Sequence, residues 1–275
     1  MPRSWPVLAW LFLTSVLCAQ DNYEIQVYEA PTVAPGNTMV ELHSNFTFSG
    51  SKSIIGGMIP TEHAWHETLE ITQGITPWFE TGFYVFTSIN PGYGWQWVGD
   101  HIRPRVRAPE DWHLPVGLSM SFEFGYQRAP YSPDTWTLEI RPIIDKEIPT
   151  ARKCGDEPCK VYISFNPTFD RSFHGPSVPQ GVVFSPNFKF GYDLTKRLNA
   201  GLEYYGSLGP VTGFDAIRDQ QQQIVPAIDL NLGPDWEFNF GVGVGVTRST
   251  DHLLVKMILG RRFDWGRSKA AAATP

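Results

Sequence analysis

Beyond its N-terminus the sequence lacks any apolar run of about eighteen residues or more, which excludes membrane-spanning helices. Charge is sparse at 18% of 275 residues, and there is no basic excess, since 22 Lys and Arg stand against 28 Asp and Glu for a net charge of -6. Nucleic-acid binding, which needs a basic face, therefore finds no electrostatic support. Catalytic signatures are missing as well: there is neither a G-x-S-x-G elbow nor an H-E-x-x-H helix. His43-Ser44-Asn45 holds the residue types of acyl hydrolysis, and His63-Ala-Trp-His66 holds two imidazoles. Both lie in candidate strands, where His43 and Ser44, or His63 and His66, face opposite sides. No catalytic residue, no metal site and no cofactor is expected.

Aromatic residues, in contrast, are abundant: 18 Phe, 10 Tyr and 10 Trp, beside 25 Gly and 23 Pro. This composition argues against disorder, coiled coil and a large helical bundle. A mean hydropathy of -0.21 looks soluble, yet a membrane barrel gives the same value, because alternating apolar and polar residues cancel in any average.

Residues 1–19 read as a secretory signal, with Arg3 as the positive start, Val7 to Leu17 as the apolar stretch and Leu17-Cys18-Ala19 as the cleavage site. Lipid attachment at Cys18 would want a small residue before it, where Leu17 stands. Cleavage leaves Cys154 and Cys159 in a short polar segment. In an oxidising compartment these two would close a disulfide, the alternatives being free thiols or an incidental pair. Zinc is disfavoured, since no second Cys or His pair stands nearby.

The clearest strand is 236–247, where Trp236, Phe238, Phe240, Val242, Val244 and Val246 alternate with Glu237, Asn239 and three glycines. Soluble sandwich strands usually run about five or six residues, whereas a tilted bilayer crossing needs about nine to eleven. Twelve such segments are predicted, at 38–48, 63–73, 78–89, 95–107, 113–127, 135–147, 160–170, 181–193, 197–207, 222–233, 235–247 and 251–263, with ten or fourteen strands as alternatives. Short connections at 74–77, 193–197 and 233–235 follow even-numbered segments, and long ones at 49–62, 171–180 and 208–221 follow odd-numbered ones. That parity matches short periplasmic turns and long external loops. The segment 148–159 departs from it, reading as a long periplasmic loop.

Hydrocarbon offers no partner for an unpaired N–H or C=O, so the sheet must close on itself. The fold expected is all-β: a closed up-and-down antiparallel transmembrane barrel at 38–263, preceded by a periplasmic arm at 20–37 and followed by a flexible tail at 264–275. The arm contains Tyr23-Glu-Ile-Gln-Val-Tyr28, which alternates too and leaves an extra hairpin strand or a plug in the lumen as alternatives. Pro31, Pro35 and Gly36 separate it from the first strand and favour the arm.

On this register Phe122, Phe124, Phe188, Phe238, Phe240, Val242, Val244, Leu253, Val255 and Met257 face lipid. The lumen receives Glu41, His43, Glu70, Glu80, His101, Arg103, Arg105, Arg107, Glu123 and Glu139 from the first six strands. The sixth strand also gives Arg141 and Asp145, and from the remainder come Asp170, Lys189, Glu203, Asp229, Glu237, Lys256 and Arg262. Arg103, Arg105 and Arg107 form either a ladder for anionic solutes or a set of cross-strand pairs with Glu80 or Glu123 that seals the wall. Trp65, Trp95, Trp97, Trp112, Trp136 and Trp236, with Tyr126 and Tyr204, fall near strand ends, at headgroup level. Glu67 and Asp100 fall on the lipid side and need a bulge, a shift or an interfacial position; Arg261 must snorkel.

The signal, the alternation and hairpins such as Phe190-Gly-Tyr-Asp-Leu-Thr-Lys-Arg-Leu-Asn-Ala-Gly-Leu-Glu-Tyr-Tyr205 together resemble bacterial outer-membrane β-barrels. The cassette is similar to the porin-like family named after the meta-pathway of phenol degradation. A closing strand that ends at the last residue is usual in the wider class; here 264–275 follow Phe263. The resemblance implies a channel or facilitator for small solutes, with outer-membrane lipids and the barrel assembly machinery as partners. A closed barrel of structural or interaction role is the alternative, and a lipid-modifying enzyme the third.

Overall fold

A computed structural model describes residues 23–265; the signal at 1–19 and most of the tail lie outside them. The described chain forms β1 (Asn37–Ser49), β2 (Trp65–Thr76), β3 (Phe79–Asn90), β4 (Gly94–Arg107), β5 (Gly117–Gln127), β6 (Trp136–Cys154), β7 (Glu157–His174), β8 (Val182–Asp193), β9 (Leu198–Ser207), β10 (Gln221–Leu230), β11 (Trp236–Gly245) and β12 (Leu253–Asp264). Neighbours pair antiparallel in chain order, and β1 pairs β12 from Asn37↔Asp264 to Ser49↔Leu253, so the sheet is a closed barrel of twelve strands. No described helix is long and apolar enough to cross a membrane.

Alternation sets the two faces. In β11, Phe240, Val242 and Val244 are exposed on the outside while Asn239, Gly241 and Gly243 are buried. Phe122, Phe124, Phe188 and Leu253 are likewise exposed, and Phe238, Val255 and Met257 are half-buried on the same outer side. Two aromatic belts bound this apolar surface. Phe46 meets Trp65 at 5.8 Å and Tyr126 meets Trp136 at 5.1 Å near the long loops; Trp78–Phe79 and Phe263–Trp265, each 6.1 Å apart, lie near the short turns. Ten residue steps along β3 separate Phe79 from Ile89. At about 3.3 Å per residue and a tilt of about 40°, that is roughly 25 Å, the height of a hydrocarbon band.

The polar residues on the outer face have local solutions. Glu67 accepts from the Ser44 hydroxyl of the adjacent strand at 2.7 Å. Asp100 is explained by a bulge: Phe86 pairs Gly99 but Thr87 pairs Trp97, so Val98 is an extra residue in β4. The slip sends Asp100 outward beside Trp97, whose indole N–H it accepts at 3.1 Å. Arg261 lies 5.1 Å from the Trp236 ring and 5.0 Å from the Phe263 ring, at the belt rather than the apolar centre.

Two sequence expectations are corrected. The segment 148–159 is no loop, since β6 and β7 run on and join through Gly155-Asp156, with Gly155 at φ 83°. Cys154 and Cys159 are joined as a disulfide across this hairpin, their Cα atoms 4.9 Å apart. β5 begins at Gly117 opposite Asp145, and β8 pairs β7 only from Tyr192↔Val161, so the hairpin projects past its neighbours. The second correction is the arm. Residues 23–30 do not hang outside the barrel; Tyr23, Ile25, Val27, Tyr28 and Ala30 are buried within it. Gly36, at φ 80°, turns the chain back before β1, so the Pro-Gly break that suggested separation is the point of re-entry. Gly74 leaves room for that turn, because a Cβ there would stand 2.2 Å from the Ala34 carbonyl oxygen.

Candidate functional site: a lumen gripped around an arm

The arm descends from the long-loop half of the lumen towards the short turns, and successive strands hold its backbone. The Tyr23 carbonyl accepts from Thr68 Oγ1 at 2.7 Å, and the Tyr23 ring meets His66 at 4.6 Å and Phe86 at 5.7 Å. Lys256 donates to the Ile25 carbonyl at 2.9 Å while contacting the Tyr205 hydroxyl at 3.0 Å and pairing with Glu203. The side-chain amide of Asn166 brackets Tyr28, accepting from its N–H at 2.8 Å and donating to its carbonyl at 3.0 Å. Below, Arg105 donates to the carbonyls of Glu29 and Pro31, and the Val33 N–H donates to Glu80 at 2.6 Å. These contacts replace the sheet partners that an inserted segment would otherwise leave unsatisfied.

Apolar packing fills the spaces between the anchors. Ile25 and Val27 pack with Tyr205, Val225, Ala227 and Leu254; Tyr23 packs with Tyr84, Phe86 and Val98; Tyr28 and Ala30 pack with Ile143. Tyr28 sits between charges: the Arg103 guanidinium carbon is 4.4 Å and that of Arg141 4.7 Å from its ring centroid, and its hydroxyl donates to Glu24. Such contacts are worth about 0.5–2 kcal/mol each, more when desolvated.

The remaining charges are paired across the wall. Arg103 meets Glu70 at 2.6 Å, Arg105 meets Glu80 at 3.6 Å, His101 meets Glu123 at 2.6 Å, Arg141 meets Glu139 at 2.6 Å, and Lys189 meets Asp229 at 3.0 Å. Glu80, His101, Arg103, Arg105, Glu123, Arg141, Glu203 and Lys256 are buried, whereas Glu139, Lys189 and Asp229 are half-buried. Gly125 makes room for the His101 ring, which a Cβ would approach to 1.8 Å. Arg107 leaves the cluster: it pairs with Glu110 in the connection after β4. Glu237 is exposed at the edge of the cavity described next. The three arginines thus form no free ladder. Tyr84, Asn166 and Tyr205 complete the arm's seat, although polarity alone gave no reason to single them out.

Below the arm a cavity of about 910 Å³ remains, bounded by Tyr28, Glu41, Glu70, Lys189 and Asp229 and by the short-turn residues Leu198 and Pro234. It reaches the short-turn end, and the arm stands between it and the long loops.

No protein-family model matches this chain, and neither does any curated protein. Among solved structures it is similar to an outer-membrane channel from Pseudomonas putida F1, at 10% identity and a TM-score of 0.54, over 87% of this chain and 100% of that one. It is also similar to the NanC porin, at 9% identity and a TM-score of 0.50, over 80% of this chain and 97% of that one. At such identities the likeness is one of fold, and the fold is that of bacterial outer-membrane barrels.

Proposed function

We propose that this chain is an integral outer-membrane, porin-like channel for the passive passage of small solutes, with its N-terminal arm seated in the lumen as a plug. The observation that carries this reading is the pairing of an outward apolar band, bounded by aromatic belts, with a charge-laced inner wall around a 910 Å³ cavity. Lipid meets the outer set from Phe122 to Met257, and the inner set from Glu80 to Lys256 lines the path. The short-turn end faces the periplasm, so the cavity is a periplasmic vestibule. Export then requires cleavage of the 1–19 signal and insertion by the barrel assembly machinery despite the residues beyond Phe263. Membership of the phenol meta-pathway family rests on the hairpin cassette at 190–205 and belongs to this proposal, as does the absence of catalysis.

A closed barrel of structural or interaction role is the second reading, favoured by the arm's occupation of the lumen. Planar-bilayer recording separates the two. Solute flux or stepwise conductance, in the intact chain or once the arm is displaced, supports the channel. Bilayers that stay sealed in both cases, under every ion tested, support the structural barrel.

A further inference from the structure

The inner wall contains one cluster that the wall pairing leaves incomplete. Glu41 of β1 and Glu70 of β2 are direct cross-strand partners, and both are buried. Like charges placed opposite each other repel, so two ionised carboxylates there would be stabilised by a cation between them. Glu70 has one such partner, since its Oε1 meets Arg103 at 2.6 Å. The Glu41 carboxyl group makes no ion pair or side-chain hydrogen bond among the described residues. Its neighbour on β12 is Gly260, and Arg103, the cation whose charge reaches it, is already committed to Glu70.

His43, two residues on along β1 and so on the same face, is fully buried with neither ring nitrogen hydrogen-bonded. Its Nε2 stands 3.4 Å from Glu70 Oε2, which is also buried and without a hydrogen-bond partner. One donor atom each from Glu41, His43 and Glu70 lie within 4.8 Å of one another. Two donors at about 2.1 Å from a single tetrahedral ion stand about 3.4 Å apart. The His43–Glu70 edge already has that length, and the Glu41 side chain has room to close in because it borders the cavity.

From this geometry we propose that Glu41, His43 and Glu70 bind one divalent first-row transition ion of the zinc type at the inner end of the cavity. The imidazole selects against magnesium and calcium, which prefer all-oxygen shells. Glu41 and Glu70 border the cavity, so the ion enters from the short-turn side and keeps an open coordination position facing it. The sequence expectation of no metal site weighs zinc only at Cys154 and Cys159 and does not bring Glu41, His43 and Glu70 together. The proposal is independent of whether the barrel conducts.

The test is metal content and affinity on the refolded full-length barrel in detergent. After equilibration with zinc and dialysis, one zinc per chain is expected, with cobalt giving a visible absorption spectrum at the same stoichiometry and magnesium or calcium competing poorly. Glu41→Gln and His43→Gln should each weaken zinc affinity by about tenfold or more, whereas His63→Gln, at an exposed histidine, should leave it unchanged. Heat-modifiable migration verifies that each variant is closed. If a Gln variant fails to close, Glu41→Asp, which keeps the charge, replaces it, and zinc should raise the conversion temperature of the wild type more than that of this variant. Absence of retained zinc in the wild type, or equal retention in wild type, Glu41 and His43 variants, overturns the site.

Discussion

The two halves of the lumen differ in what fills them. Towards the long loops, Tyr23, Ile25 and Tyr28 press against Phe86, Leu254 and Ile143, and lysine and arginine side chains are spent on arm carbonyls. Towards the short turns, Lys189, Asp229 and Glu237 surround a cavity. Polar residues line both halves, and the arm fills only the first. The strongest way to break this comparison is to delete residues 23–33. The expected outcome is a change from sealed bilayers to stepwise conductance, with the conversion temperature lowered because the inner apolar residues lose their cover. A deletion variant as tight as the full chain would take closure away from the arm and favour the structural barrel.

Lys256 gives the next largest effect. It is 1% exposed, pairs with Glu203 and donates to the Ile25 carbonyl, so Lys256→Met strands a buried carboxylate and an arm carbonyl together. Breaking one side of such a pair costs about 3–5 kcal/mol, to be read as a lower urea midpoint for the folded band. Lys256→Met with Glu203→Gln should recover a large part of the loss. If the double variant is no better than the single, the pair is not what holds Ile25.

How much of this could be read from residues alone divides along the same line. The wall was legible because period-two alternation records, residue by residue, which solvent each face meets. Phe240, Val242 and Val244 against Asn239, Gly241 and Gly243 is such a record. The arm's position was not, because a short alternating segment has the same pattern as a free strand or a plug. A signal did exist on the receiving side: Ile143, Val225, Ala227, Leu254 and Ile258 are apolar at inward positions, which makes no sense in a wet lumen and fits a wall that receives a greasy insert. The extension of β6 and β7 was hidden by Arg152, Lys153, Asp156 and Glu157, whose polarity reads as a loop when both faces of a hairpin are wet. The bulge at Val98 showed only as its symptom, a carboxylate apparently facing lipid.

A finer cut separates Arg105 from Arg107, which the sequence puts in one row. Arg105 donates to the Glu29 and Pro31 carbonyls, whereas Arg107 pairs with Glu110 outside the lumen. Hydrogen bonds to a charged group are worth about 1.5–3 kcal/mol, so Arg105→Gln should loosen the lower arm and give brief openings in bilayer recordings. Arg107→Gln should leave closure and reversal potentials unchanged. Openings in Arg107→Gln equal to those in Arg105→Gln would restore the arginine row as a functional unit, and openings in neither would remove Arg105 from the arm's hold.

The smallest effect belongs to the disulfide, and it marks where the barrel stops being one cooperative unit. Cys154 and Cys159 staple a hairpin beyond the last neighbouring strand pairs, although Arg152 still donates to the Leu194 carbonyl at 2.9 Å and the Lys160 N–H to Asp193 at 2.8 Å. Chain-entropy arguments assign a loop this short about 2 kcal/mol, felt by whatever unit the bond closes. That unit is the projecting hairpin rather than the twelve-stranded wall. Replacing both cysteines by serine should therefore speed amide exchange at 148–159 while leaving the conversion temperature of the barrel unchanged. A fall in that temperature would mean that the hairpin packs as part of the barrel, and that the vestibule rim it borders through Cys154 and Lys160 is as rigid as the wall above it.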